Sequence, residues 1–259
     1  MRRLLLVALV FACARHAAPP PLHDGVFRVA IVGDSVAHGA GDESGRGIAG
    51  NLDALLGGKH LVTNLGINGA RTWNVLLLLQ RPIVADAIVL SIGGNDLYGD
   101  SIARFTTLVA PTLAMERTID RIATIVAAIH HENPSTRVVL LGLYDPYATP
   151  FLDEQVAHWD ARLIERFAHD RAVDVVRIAD VVRVSPLDHF HPGAAGYAAI
   201  ASRIAPALGA PASRRLARDR LGRAAGGGET PPSQPPGRRR SETPASAAPS
   251  LPARTRTRT

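Results

Sequence analysis

The chain has 259 residues, of which 46% are hydrophobic, so it can hold one medium-sized domain or two small ones with a sizeable core. Its formal net charge of +6 is unevenly placed, because the segment from residue 211 onwards has eleven arginines and only three acidic residues, a net charge of +8. Residues 1–210 therefore carry a net charge of −2, which excludes a strongly basic domain. The single cysteine, Cys13, excludes an internal disulfide framework.

The first 21 residues have the pattern of a secretory signal peptide. Two arginines precede the apolar run Leu4–Ala12, which is too short to span a bilayer because a transmembrane helix needs about 20 residues. Ala12-Cys13-Ala14 suits a cleavage site, whereas Val10-Phe11-Ala12-Cys13 is similar to a bacterial lipobox. Two outcomes stay open: removal of the leader, or lipidation of Cys13 and membrane attachment. We therefore expect an exported protein of the bacterial periplasm or cell envelope, either lipid-anchored or secreted.

The segment 211–259 is rich in Pro, Gly, Ser, Thr and Arg and has almost no large apolar side chain after Leu221. Such a composition cannot bury enough surface to offset the entropy lost on ordering, so we expect a disordered Pro/Arg-rich tail. The functional alternative is adhesion to anionic envelope polymers or to nucleic acid through charge. No aromatic residue interleaves the arginines to stack on bases, so we expect no specific nucleic-acid binding.

Residues 22–210 form the predicted domain, in which strand and helix patterns alternate. Short apolar runs predict five strands, and apolar residues at helical spacing predict the helices between them. This alternation predicts an α/β fold, a three-layer α/β/α sandwich with a five-stranded, mainly parallel sheet. In chain order we expect a strand at Val26–Val32, a helix at Gly47–Leu56, strands at His60–Asn64 and Ala87–Ile92, a helix at Pro111–Ile129, a strand at Arg137–Leu143, a helix at Asp153–His169, a strand at Val173–Ile178 and a last helix that opens at Pro192.

Polar motifs follow these strands, and ligands of parallel sheets bind beyond the carboxyl ends of the strands. Each motif alone is an ordinary turn or glycine loop. Together they indicate a functional site, because all of them follow strands of the same alternating strand–helix pattern. In chain order they are Gly33-Asp34-Ser35, the glycine loop Asn64–Thr72, Gly93-Gly94-Asn95-Asp96 and Asp188-His189-Phe190-His191-Pro192.

The residue types in these motifs suit nucleophilic catalysis. Serine is a weak nucleophile until a neighbouring base takes its proton, and Ser35 lies on a turn that would expose its hydroxyl. Asp188 can bind one ring nitrogen of His191 from the same short loop, which leaves the other nitrogen for the nucleophile. The amide of Asn95 can donate to developing negative charge, and the glycines allow a substrate to approach backbone N–H groups closely.

Other functions are consistent with parts of the pattern. A metal site could use Asp188, His189 and His191, but the only other histidine cluster, His130-His131, lies on a separate helix. A nucleotide-binding flavodoxin-like module would need a phosphate loop, and the chain has no Gly-Lys-Ser/Thr sequence. A non-catalytic protein that binds an envelope glycan would have no need for serine, aspartate and histidine together.

The motifs together resemble the sequence blocks of the SGNH/GDSL hydrolases, a family named after the Ser, Gly, Asn and His of four blocks. The resemblance spans about residues 26–208, and Leu141–Tyr147 is similar to a segment of lysophospholipase-like members. Val36 replaces the usual leucine of the first block. The blocks are matched by Val32-Gly33-Asp34-Ser35, Asn64–Gly69, Gly93–Asp96 and Asp188–Pro192.

This resemblance implies the flavodoxin-like SGNH hydrolase fold and cleavage of carboxylic esters through an acyl-enzyme. It makes Ser35 the nucleophile, His191 the base and Asp188 its partner. The oxyanion hole would consist of the backbone N–H groups of Ser35 and Gly69 and the side-chain amide of Asn95. A small-molecule ester, of a lipid or an acetylated glycan, is the implied substrate, and no metal or organic cofactor is implied. Acyl transfer to an alcohol by the same triad remains an alternative.

Overall fold

The computed structural model describes residues 25–58 and 60–209. The predicted leader with Cys13 and the predicted Pro/Arg-rich tail lie outside the described residues. Within the described part of the chain, no helix combines the length and apolar character needed to cross a membrane.

Five short strands form one sheet with the order β2-β1-β3-β4-β5, and every neighbouring pair is parallel. The predicted α/β fold with a five-stranded sheet is therefore confirmed. The last two strands end earlier than predicted, because their pairing stops at Leu141 and Val176. The strands are β1 (Phe27–Gly33), β2 (His60–Gly66), β3 (Ala87–Ser91), β4 (Arg137–Leu141) and β5 (Val173–Val176).

Eight helices connect or flank these strands in the described residues. All four predicted helices are present. Helix α7 begins at Pro150, before the predicted start at Asp153, because the Thr149 hydroxyl caps the helix by accepting the Leu152 N–H. The last helix begins at Ala194, two residues after Pro192. The helices are α1 (Ser35–His38), α2 (Gly47–Leu56), α3 (Thr72–Leu78), α4 (Gly94–Tyr98), α5 (Ser101–Val109), α6 (Pro111–Glu132), α7 (Pro150–Phe167) and α8 (Ala194–Gly209).

Strand side chains alternate between two apolar layers. On β1, Val29 and Ile31 pack into one layer, whereas Ala30 and Val32 pack into the other. Helices α1, α2 and α8 cover the first layer, and α3, α4, α6 and α7 cover the second. A parallel sheet with both faces buried is the reason why these strands read as continuous apolar runs. The three-layer sandwich is thus confirmed.

The strand order places a topological switch point between β1 and β3. From β1 the chain moves to β2 on one side of the sheet, and all later strands add on the other side. In such sheets the crevice beyond the carboxyl ends of the two strands at the switch point is the usual ligand site. Ser35 directly follows β1, and Asn95 lies in the first turn after β3.

Candidate active site

Ser35 is the first residue of α1, and Asp34 fixes this turn. The buried carboxylate of Asp34 accepts hydrogen bonds from the backbone N–H of Val36 and from the hydroxyl of Ser91, both at 3.0 Å. Its own N–H donates to the Ser91 carbonyl at 2.9 Å. Burial raises the pKa of the Asp34 carboxyl to about 6, although these hydrogen bonds act in the opposite direction. The strand-to-helix turn that carries Ser35 is therefore tied to the end of β3.

Close backbone packing explains two glycines around this turn. A Cβ on Gly33 would lie 1.8 Å from the Ser91 carbonyl oxygen, and one on Gly66 would lie 2.2 Å from the backbone nitrogen of His38. Both glycines are therefore required for β1 and β2 to approach their neighbours. Gly69 differs, because its φ is +73° and no atom lies within 4 Å of its Cβ position. Its surroundings leave space for a ligand.

The glycine loop after β2 is fastened to α4. The side-chain amide of Asn95 donates to the Ala70 carbonyl at 3.1 Å. Asp96, whose side chain is 2% exposed, accepts the N–H of Thr72 at 2.9 Å and its hydroxyl at 2.6 Å. An amide nitrogen carries two hydrogens, so Asn95 can hold this loop and still donate to a ligand.

Asp188 and His191 form a local acid–base pair. The Nδ1 atom of His191 lies 2.7 Å from one carboxylate oxygen of Asp188, and the other oxygen accepts the N–H groups of Phe190 and His191, both at 2.9 Å. His189 adopts a left-handed backbone with φ of +54°, which turns the chain between the two residues. Burial raises the pKa of Asp188, but these hydrogen bonds outweigh it and keep the pKa below its ordinary value.

Residues 39–46, which follow α1 directly, pack against the loop that carries this pair. A Cβ on Gly41 would lie 2.7 Å from the Cβ of His191, so the backbone of this segment touches the histidine. The hydroxyl of Tyr197 on α8 donates to the Ala40 carbonyl at 2.7 Å. Glu43 accepts the hydroxyl of Ser185 at 3.2 Å and the N–H of Ala194 at 2.5 Å.

Ser35 and His191 therefore lie at the same edge of the sheet, joined through residues 39–46. Both residues are described, and no hydrogen bond links the Ser35 hydroxyl to the His191 ring. Catalytic hydrogen bonds commonly form only in the complex with substrate.

A cleft of about 390 Å³ opens at this edge. Ser35 and Asn95 line it together with residues 142–147, the segment that follows β4. The carboxylate of Asp145 accepts the N–H of Tyr147 at 2.7 Å, which fixes that segment in a turn. The Phe190 ring lies at its rim, 5.0 Å from the ring of His191. Of the predicted site residues, Ser35 and Asn95 thus line this cavity, and His191 adjoins it through the Phe190 ring.

The alternative histidine ligands do not join this site. His130 lies 3.8 Å from Asp170 and near the Thr136 carbonyl, on the helix α6. Within the described ranges, no three His, Cys, Asp or Glu side chains form a cluster that could hold a metal ion.

Three residues that support the site were not identified from the sequence, namely Glu43, Ser91 and Asp96. Each acts through contacts with residues far away in the chain, up to 151 positions for Glu43 and Ala194. Asp96 belongs to a predicted motif, but its contact with Thr72 had no sequence signal. For Glu43, the sequence signal is an acidic residue among the glycines of residues 39–47.

Comparison with known proteins supports a family assignment. A family model described as the GDSL-like lipase/acylhydrolase family matches residues 31–199. The chain is also 28% identical to the uncharacterized protein YpmR of Bacillus subtilis (strain 168) over 205 residues, which cover 70% of this chain and 80% of that protein.

Solved structures share the fold at low sequence identity. The lipase Lip_vut3 from a goat rumen metagenome has a TM-score of 0.59 at 20% identity, over 71% of this chain and 98% of that one. A catalytic mutant of Axe2, an acetylxylan esterase from Geobacillus stearothermophilus, has a TM-score of 0.53 at 16% identity, over 72% and 95% of the two chains. Because the family model covers well over half of its length, the chain belongs to the GDSL-like lipase/acylhydrolase family and is an ester hydrolase.

Proposed function

We propose that the chain hydrolyses carboxylic esters through an acyl-enzyme on Ser35, with His191 as general base and Asp188 as the partner that orients it. The observation that supports this most is the Asp188–His191 pair, bonded at 2.7 Å on a loop that packs against residues 39–46, the segment that follows the helix of Ser35. With Nδ1 bound to the carboxylate, Nε2 is the ring nitrogen left to take a proton.

In the first half-reaction, the Ser35 hydroxyl attacks the ester carbonyl carbon while its proton passes to Nε2 of His191. The carbonyl electron pair moves onto oxygen, and the tetrahedral intermediate collapses with cleavage of the carbon–oxygen bond to the alcohol. The alcohol leaves with the proton from His191, and the acyl group stays on Ser35. Water then repeats the sequence, which releases the carboxylic acid and restores the serine.

The negative oxygen of the intermediate needs hydrogen-bond donors. We assign this role to the backbone N–H groups of Ser35 and Gly69 and to the second amide hydrogen of Asn95. The bond from Asn95 to the Ala70 carbonyl supports the assignment, because it holds the amide against the loop that contains Gly69. Donors held in place before the reaction stabilise developing charge without reorganisation.

Replacing Asn95 by alanine is expected to lower kcat about 10²-fold or more, the usual effect of removing one oxyanion donor. Steady-state turnover of p-nitrophenyl esters measures this effect. Asn51→Ala is the matched control, since the Asn51 amide also donates to a backbone carbonyl, that of Gly47 at 2.7 Å, but within α2. Normal turnover in a folded Asn95→Ala variant would remove Asn95 from the catalytic set.

The substrate proposal comprises esters of lipids and of acetylated glycans. Transfer of the acyl group to an alcohol would use the same steps with the alcohol in place of water. Product analysis with and without an alcohol acceptor distinguishes the two reactions, and we expect free acid as the main product in both.

We also propose that the protein acts outside the cytoplasm, on the basis of the leader pattern in residues 1–21. Mass spectrometry of the mature N-terminus distinguishes removal of the leader from lipidation of Cys13. An intact, unmodified N-terminus in the native host would overturn export through this leader.

A further inference from the structure

The cleft beside Ser35 has walls that are mainly apolar. Residues of α4, α6 and α7 and the segment after β4 form much of its lining, together with Ser35 of α1 and Arg104 of α5. The side chain of Leu143 lies 3.6 Å from the position that a Cβ on Gly94 would take, next to Asn95 in the chain. The apolar wall consists of Leu97 on α4, Met115 on α6, Leu143 after β4, and Leu152, Val156 and Trp159 on α7.

Several polar groups in the cleft have protein partners, but the Tyr98 hydroxyl and the Trp159 indole N–H have none among the described residues. Asp34 and Ser91 bind each other, and the carboxylate of Asp145 accepts the N–H groups of Tyr147 and Thr149. A sugar ring carries several hydroxyls, and these two free groups would replace only part of the water that the hydroxyls give up, which is costly. An alkyl chain has no such cost.

The volume of the cleft also exceeds what an acetyl group needs. At roughly 30 Å³ for each water-sized group, 390 Å³ has room for on the order of ten methylene-sized groups. Acetyl would fill a small part of this space and leave apolar walls in contact with water. We infer that the cleft between α4, α6 and α7 binds the acyl group, and that the substrates are esters of straight fatty acids with about six to ten carbons.

This inference rests on the proposed acyl-enzyme function and narrows its substrate. Each methylene buried from water adds a stabilisation equivalent to about a fourfold gain in binding. Octanoyl has six methylenes more than acetyl, so we expect kcat/KM for p-nitrophenyl esters to rise on the order of 10³-fold between the two. A maximum at acetyl, or faster cleavage of acetylated xylo-oligosaccharide than of the octanoyl ester, would overturn the inference.

A variant that fills the cleft tests the location of the chain. Leu152 is half-buried in the cleft wall, so Leu152→Trp should occupy the cleft rather than disrupt the core. We expect it to abolish the gain in kcat/KM from butanoyl to octanoyl. The matched control is Ile164→Trp, at an exposed position about three turns further along α7, which should keep the wild-type profile. An unchanged profile in folded Leu152→Trp would place the acyl chain elsewhere.

The same esters with Ser35→Ala separate this inference from the proposed function. Equal turnover by Ser35→Ala and wild type at every chain length would defeat both. A flat profile that still requires Ser35 would defeat only the assignment of the acyl chain to the cleft.

A second inference concerns Glu43, which joins both ends of the loop that carries Asp188 and His191. One carboxylate oxygen accepts the Ser185 hydroxyl before the pair, and the other accepts the Ala194 N–H after it. The N–H of Ser185 in turn donates to the carbonyl of His191 at 2.8 Å. A negative group at the start of α8 is also favoured by the helix dipole.

The segment that holds Glu43 is itself fixed. Asp42 accepts the N–H groups of Gly47 at 2.6 Å and Ser44 at 2.8 Å, which closes the turn before α2. The Ala194 N–H keeps the pKa of the Glu43 carboxyl below its ordinary value, so the carboxylate persists in mildly acidic solution. We propose that Glu43 is a positioning residue that sets the separation between His191 and Ser35.

Glu43→Ala is expected to lower kcat by about 10- to 100-fold with little change in KM, because small misplacements of catalytic groups cost up to about 10²-fold. Glu43→Gln should recover most of this loss, since its amide can accept from the Ala194 N–H and donate to Ser185. Ser185→Ala, which removes one of the two contacts, should give a smaller loss. The control is Asp180→Asn, which removes the charge and one of the two acceptor oxygens that Asp180 offers to Arg203 on α8, and which should leave kcat unchanged.

Far-ultraviolet circular dichroism and thermal unfolding confirm that each variant is folded. A folded Glu43→Ala with wild-type kcat, or with a raised KM and unchanged kcat, would overturn the positioning role. If Glu43→Ala does not fold, the Ser185→Ala variant decides, and wild-type kcat in that variant would overturn the positioning role.

Discussion

Replacing Ser35 by alanine is expected to lower kcat for ester hydrolysis by about 10⁴-fold or more, the scale seen when a serine nucleophile is removed. The change removes only the hydroxyl, and alanine is a good helix former, so α1 should persist. The contacts that shape the turn involve Asp34, Val36 and Ser91, and none uses the Ser35 side chain. The loss should therefore be one of chemistry and not of folding.

Initial rates with a p-nitrophenyl ester over several enzyme concentrations measure this loss. Ser44→Ala is the matched control, because Ser44 lies in the segment after α1 and its hydroxyl donates to Asp42 at 2.7 Å. It should keep turnover within about twofold, as expected for an exposed position. Comparable turnover in Ser35→Ala and wild type would show that another group attacks the ester.

Replacing Asp188 by asparagine is expected to lower kcat by about 10⁴-fold with the fold intact. The asparagine oxygen can still accept the N–H groups of Phe190 and His191, which preserves the loop. Its amide would face Nδ1 of His191 as a donor, so the ring would carry its proton on Nε2. An imidazole in that tautomer cannot take the proton of Ser35.

The matched control for this variant is Asp170→Asn. Asp170 also faces a histidine, His130, at 3.8 Å, but neither residue lines the cleft. Turnover should stay near wild type in Asp170→Asn. A loss of less than about tenfold in folded Asp188→Asn would contradict a triad that requires the carboxylate, given the usual effect of this change.

Much of the fold could be predicted from local pattern. The runs in β1 and β3 are apolar on both faces because both faces are buried, and α6 shows a clear helical period over 22 residues. The Asp188–His191 bond was also predictable, since a spacing of three residues allows the contact within one loop. These features depend on residues close together in the sequence.

The features missed depend on tertiary contacts. Helices α1 and α4 have four and five residues, too few for a period to be visible, and α1 is fixed by the cap of Asp34 and its bond to Ser91. The difference between Gly66, which is packed, and Gly69, which is open, depends on the approach of α1. The contacts of Glu43 and the volume of the cleft likewise arise only when distant segments meet.

Labelling with a fluorophosphonate tests the activated serine most directly. Wild-type protein should incorporate one label per chain on the peptide that contains Ser35, and His191→Ala should slow labelling by orders of magnitude, because the base then no longer takes the serine proton. Absence of label on Ser35 in protein that turns over esters, or equally fast labelling with and without His191, would contradict a serine activated by this histidine.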